Sequence, residues 1–403
     1  MNKSWSDKQK MDGLFIFLIL SLLLTGLALG NINLMAIFPH PSQLLTDYFE
    51  IAGIGSGFIN SGLTLALVFI FFQFNLHQYS GSIIGNLFLV TGFAMFGKNL
   101  FNILPLLIGF QLYIWLNPSE KQKATTIALA ATTLGPLISV LLFLIGIHWL
   151  FVFIIGILIG YFFTLLTPWF FKLHQGYTIF NAGFTAGFIA FFIYRILLVF
   201  NYSVYPMSAS ASYPQALYFL LILNLVFIAL GLYLKGYQVS LTSSSRDFYQ
   251  AYGFNYSILN MGIIGLLLTL ILFVSKAPIN GVTLGSVLSL IGFGAYEYQP
   301  RTILPVIVGT ALGFWIQQKA FNQSSVIIAV LFSSGLSPVV SRESSLMGLV
   351  AGFMHSLLIL HTGILQGFMN LYNNGFVTGL VGSTMNLFRK LRPFNHKKHK
   401  VNH

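Results

Sequence analysis

The chain has 403 residues, of which 56% are hydrophobic and 7% charged, with a formal net charge of +12 and no cysteine. Soluble domains carry about a quarter charged residues, so a water-soluble globular protein is excluded. Without cysteine, disulfides, thiol catalysis and thiolate-bound metals are excluded as well.

Lys3, Lys8 and Lys10 precede a long apolar run. That run exceeds a signal-peptide core and no A-x-A-like site follows it, so it reads as an uncleaved first helix after a cytoplasmic tail at 1–12. Apolar runs bounded by charge, Gly, Pro and Asn then give fourteen segments. They lie near 13–36, 51–73, 81–96, 101–116, 125–145, 147–167, 178–200, 214–235, 252–274, 279–295, 302–317, 325–340, 345–360 and 371–388. The expected fold is an all-α polytopic membrane protein. The third, fourth, tenth and eleventh segments are short enough to be tilted spans or re-entrant hairpins. Lys98, and Glu297 with Arg301, argue for hairpin tips that reach water.

With both termini cytoplasmic, sixteen Lys and Arg fall inside, and Lys98, Lys276 and Lys319 fall outside. That bias fits the positive-inside rule. The basic tail at 389–403 is expected to anchor beside anionic lipid rather than nucleic acid.

The segments form a repeat. "GFAMFGKNLFNILPLLIG" at 92–109 aligns with "GFGAYEYQPRTILPVIVG" at 292–309. At the same offset Asn60 aligns with Asn260, and further on Pro136 pairs with Pro338. "TIFNAGFTAGF" at 178–188 pairs with "NLYNNGFVTGL" at 370–380, matching Asn181, Gly183 and Gly187 to Asn373, Gly375 and Gly379. Two membrane repeats follow, 13–205 and 206–388. Each holds seven segments, an odd number, so the second must run upside down relative to the first. Transporters use this inverted design, with a solute site at the repeat interface.

The motifs carry paired readings. Gly183/Gly187 and Gly375/Gly379 lie one helical turn apart, which suits close helix packing or a narrow pathway wall. Asn60, Asn181, Asn260 and Asn373 are either interhelical glue or amides facing a central path, where they suit a neutral or zwitterionic solute. The fifth helix of each half is interrupted, by Thr132, Thr133 and Pro136 in one and by Ser333, Ser334, Ser337 and Pro338 in the other. Their hydroxyls and freed carbonyls are expected to steady a kink or to hold Na⁺ or a polar solute. Arg195 snorkels or serves as an anion counter-charge. His355 is a core histidine or a proton carrier. No metal or cofactor site is expected.

Through the FNAGFTAG/YNNGFVTG and GF…ILP…G strings the halves resemble an uncharacterised family of bacterial membrane proteins, common in Firmicutes, with a duplicated domain of unknown function. That resemblance implies a membrane location and no particular activity. "GFINSGL" at 57–63 before Leu104-Pro105, and "ILNMG" at 258–262 before Leu304-Pro305, are weakly similar to urea transporters, without their fuller pore motif. The expected function is a transporter or channel for a small polar solute in the plasma membrane, not an enzyme, with Na⁺ or H⁺ as coupling ions to test. The alternatives are an enzyme at the cytoplasmic interface, using Glu297/Arg301 or Arg342/Glu343, and a membrane scaffold or sensor.

Overall fold

A computed structural model describes residues 5–238 and 246–391. Lys3 and the basic tail beyond Leu391 lie outside the described residues. Among those described, the chain is helices joined by loops, with one antiparallel bridge between Asp47 and Phe96.

The first half runs α1 (Asp7–Leu29), α2 (Tyr48–Ala52), α3 (Ile54–Asn75), α4 (Gly81–Phe93), α5 (Leu100–Leu116), α6 (Lys121–Ala131), α7 (Gly135–Ser139), α8 (Trp149–His174) and α9 (Asn181–Val199). The second runs α10 (Leu217–Tyr233), α11 (Phe248–Ser275), α12 (Gly281–Ile291), α13 (Pro300–Ile316), α14 (Ser324–Phe332), α15 (Ser337–Arg342), α16 (Ser345–Thr362) and α17 (Asn373–Leu391). Taking α2/α3, α6/α7 and α14/α15 as broken segments, each half has the seven segments expected. Nine described helices are long and apolar enough to cross a membrane. The four short apolar ones, α4, α5, α12 and α13, fall at the four positions read as short.

Local chemistry sets the boundaries. Ser80, Asn99, Asn280 and Ser344 side chains accept backbone N–H groups at the starts of α4, α5, α12 and α16, where the first turn has no partner of its own. Gly53 and Gly253, at φ +92° and +74°, break the α2/α3 and α11 helices at matched points. Pro136 and Pro338 sit in the first turns of α7 and α15, where a missing N–H costs little. Each therefore opens a new helix rather than kinking a continuous one.

The halves meet at two helix crossings. α4 packs on α12, and α9 packs on α17. A Cβ on Gly183 would lie 2.7 Å from Gly375 Cα, and one on Gly375 would lie 2.9 Å from Gly183 Cα. Gly183 and Gly375 are matched positions of the two halves, so this crossing brings repeat partners together. In the α4–α12 crossing Gly92 and Gly285 approach each other's carbonyls. Outside this centre, the α1–α3, α5–α8, α10–α11 and α13–α16 pairs repeat the same arrangement. Exposed Phe, Leu and Trp side chains on α1, α8 and α10 form an apolar perimeter.

The bundle has two ends. At one, Gly81 N–H donates to Asp247 (2.8 Å), Ser341 Oγ to Glu297 Oε1 (3.0 Å) and Arg342 Nη1 to Gln175 O (2.6 Å). At the other, Gly281 N–H donates to Asp47 (3.0 Å), Ser324 Oγ to Ala209 O (2.7 Å) and Leu44 N–H to Phe368 O (2.8 Å). α4 runs from the Asp247 end to the Asp47 end, and α12 runs back.

One expectation is corrected. Lys98 and Glu297, read as hairpin tips in water, are 0% and 3% exposed. The chain just before α2 folds over the first tip, where Tyr48 N–H donates to Met95 O (3.3 Å), and the start of α11 covers the second, where Phe248 N–H donates to Tyr296 O (3.2 Å).

Candidate functional site

The broken helices α6/α7 and α14/α15 free backbone carbonyls at the centre. Each is met by the segment just ahead of a helix of the opposite half. Leu371 N–H donates to Thr133 O (3.3 Å), and Ile179 N–H donates to Gly335 O (3.0 Å). The hydroxyls are engaged too. Thr133 donates to Asn370 Oδ1, Ser333 to Val330 O and Ser334 to Leu331 O, while Ser337 Oγ is buried without a partner. These crossed bonds splice the two segments ahead of α9 and α17 into the opposite half.

Two cavities flank the splice. The first, of 170 Å³, is lined by Ser82, Asn86, Asn181, Phe93, Tyr372 and Asn374 among others, and reaches the Asp247 end at Tyr296. The second, of 540 Å³, is lined by Leu45, Ala209, Ser324, Phe368, Asn373 and Asn374 among others, at the Asp47 end. Some of their lining positions correspond across the repeat: Thr126, Thr167 and Asn181 in the first match Ile328, Ile359 and Asn373 in the second. Asn374 lines both. Its Oδ1 is buried with no hydrogen-bond partner, a costly state unless a ligand or water meets it. No lining residue of either cavity is charged.

The four matched asparagines divide. Asn181 and Asn373 each line one cavity and donate to corresponding carbonyls, Thr167 O (3.1 Å) and Ile359 O (3.4 Å). Asn60 Nδ2 donates to Ala94 O (2.6 Å) and Lys98 O (2.8 Å), and Asn260 Nδ2 to Gly294 O and Tyr298 O (both 2.7 Å). These two hold the hairpin tips and line neither cavity. Gly183 and Gly375 line the first cavity, whereas Gly187 and Gly379 accept the rings of Phe376 and Phe184. Thr132, Thr133, Ser333, Ser334 and Ser337 stand behind the cavity walls. Arg195 is exposed, 5.0 Å over the Phe191 ring, and lines neither cavity. His355 is fully buried on α16 with both ring nitrogens unpartnered, also away from both.

Three features were not singled out from sequence. Asn374 does not stand out in the repeat because its partner there is Ala182. Lys98 was assigned to water. The third is a pair of aspartates, Asp47 and Asp247, which cap the starts of α12 and α4, each in the other half. Asp47 is almost fully buried, and burial pushes its carboxyl from 3.8 to about 7, against the pull of the Phe49 and Gly281 N–H groups. The folded form thus binds this proton more tightly than the unfolded chain. The Asp47 contribution to stability therefore falls as pH rises from about 4 to 7. Melting curves of wild type and Asp47→Asn should diverge through that window, with the wild type losing more as pH rises. Parallel curves would show that the carboxyl titrates normally.

The fold defines an all-α multi-pass membrane protein built on a duplicated unit. A family model described as a protein of unknown function (DUF1576) matches twice, over residues 30–199 and 233–390, and the chain belongs to this family. No curated protein and no solved structure matches the chain.

Proposed function

We propose that the protein moves a small polar solute across the plasma membrane by alternating access between two inverted halves, with both termini in the cytoplasm. The observation that carries this reading is the pair of cavities, one at each end, that share Asn374 in their linings. In an inverted repeat the two halves can exchange conformations, so that one cavity closes as the other opens. The polar groups at the junction are amides and hydroxyls, which donate and accept, and suit a small polar solute. The first cavity, at 170 Å³, is smaller than the roughly 300–1,000 Å³ of drug-sized pockets, which favours a solute of a few heavy atoms. Na⁺ and H⁺ are the coupling ions to test.

The test is a melting-temperature panel in detergent: urea, amides, amino acids, nucleobases, carboxylates, Na⁺ and Li⁺, on wild type and on the Asn181→Ala/Asn373→Ala double variant. A ligand at about 100 times its Kd adds roughly 2.7 kcal/mol. A shift in wild type that the double variant lacks is the expected result. No shift for any solute, with the variant merely less stable, would reduce both asparagines to helix glue.

A further inference from the structure

The two halves solve one packing problem with different residues. At the tip after α12, Tyr298 bonds Ser334 Oγ through its hydroxyl (2.7 Å). At the matching tip after α4 the residue is Lys98, whose Nζ donates to Thr132 Oγ1 (2.9 Å), and Thr132 is the repeat partner of Ser334. Both side chains are fully buried. A neutral hydroxyl therefore meets the structural demand in one half, and the amine brings something the fold does not require.

The surroundings of Lys98 say what that is. Its Nζ also donates to Tyr372 OH (2.5 Å), and lies 4.4 Å and 5.6 Å from the ring centres of Tyr372 and Phe93. Thr132, Tyr372 and Phe93 are the groups that face it, Tyr372 being the titratable one, and no carboxylate pairs with it among the described residues. A buried ammonium without a counter-ion costs several kcal/mol. Tyr372 and Phe93 also line the first cavity, so Tyr372 borders the solute space while its hydroxyl meets the amine.

We propose that the solute carries a single negative charge, a small monocarboxylate in class, and that it binds together with one proton held on Lys98. The carboxylate accepts from the Tyr372 hydroxyl with the ammonium behind it. The proton comes from water as the anion enters and returns to water as it leaves, so no net charge is buried. This rests on the transport reading above and reconciles an uncharged lining with an intramembrane amine. Lys98 is a binding residue that acts through Tyr372.

The experiment compares isosteres: acetate with acetamide, and propionate with propionamide. Binding is read by thermal shift, and proton uptake by calorimetry in buffers of different ionisation enthalpy. Wild type should prefer each carboxylate over its amide by about tenfold or more, taking up one proton per anion. Lys98→Tyr, which installs the second half's residue, should fold and lose that preference. Lys98→Arg, which stays charged at all usable pH, should keep anion binding without proton uptake. If Lys98→Tyr is unstable, Lys98→Arg alone still decides, since proton uptake unchanged in it removes Lys98 as the proton site. Equal binding of amide and carboxylate by wild type overturns the inference. If a neutral solute shifts the melting temperature and no carboxylate does, this inference fails and transport stands. Silence from every solute would sink both.

Discussion

Replacing Asn60 or Asn260 by leucine is expected to destabilise the protein by about 2–6 kcal/mol, with solute binding per folded molecule unchanged in the Asn260 variant. Each amide nitrogen bridges two buried carbonyls at a hairpin tip, within 2.8 Å in every case. Leucine keeps the volume but strands both acceptors, at about 1–3 kcal/mol apiece. No water lies within easy reach, because the tips are covered and Ala94, Lys98, Gly294 and Tyr298 are all buried. The two variants should lose similar stability, since the bonds match across the repeat. Thermal and denaturant unfolding in detergent measure the loss, and the solute panel measures the binding. A leucine variant that melts like wild type yet binds nothing would move these amides onto the solute route.

How much of this was legible in the sequence depends on what symmetry reveals and what it hides. Segment positions, the short pairs and the broken fifth helices are readable because bilayer thickness and backbone satisfaction impose them. The repeat is readable because identical residues recur in order. The same filter, however, makes Asn60 and Asn181 look equivalent. What separates them is which backbone carbonyl lies opposite, and that is fixed only once the tips fold back over α3 and α11. Lys98 was misplaced for a related reason. Charge rules treat a loop lysine as wet, yet this loop is roofed by the segment before α2, some fifty residues earlier. The residues of greatest functional interest, Lys98 opposite Tyr298 and Asn374 opposite Ala182, are those where the halves differ. A search for matched positions passes over them.

Asn374→Leu is expected to act in the opposite sense to Asn60→Leu, lowering flux and raising stability. In the wild type the Asn374 side chain sits where the two cavities meet, with its Oδ1 buried and unpaired. An unsatisfied buried carbonyl costs about 1–3 kcal/mol, so an apolar side chain of similar size should stabilise the empty protein by about 1 kcal/mol. The same change removes the polar group that both cavities share. Uptake into proteoliposomes of whichever solute the thermal panel identifies should then fall by about tenfold or more, since a site built to hydrogen-bond its solute is sensitive to losing that partner. Gain in stability with loss of activity is the signature of a residue kept for function against the interest of the fold. Asn374→Asp adds a charge at the same place, and should oppose an anion while sparing a neutral solute, so the pair also tests the Lys98 assignment. A leucine variant that is less stable than wild type and transports normally would show instead that the amide is bonded in the working protein, and that the route between the cavities runs elsewhere.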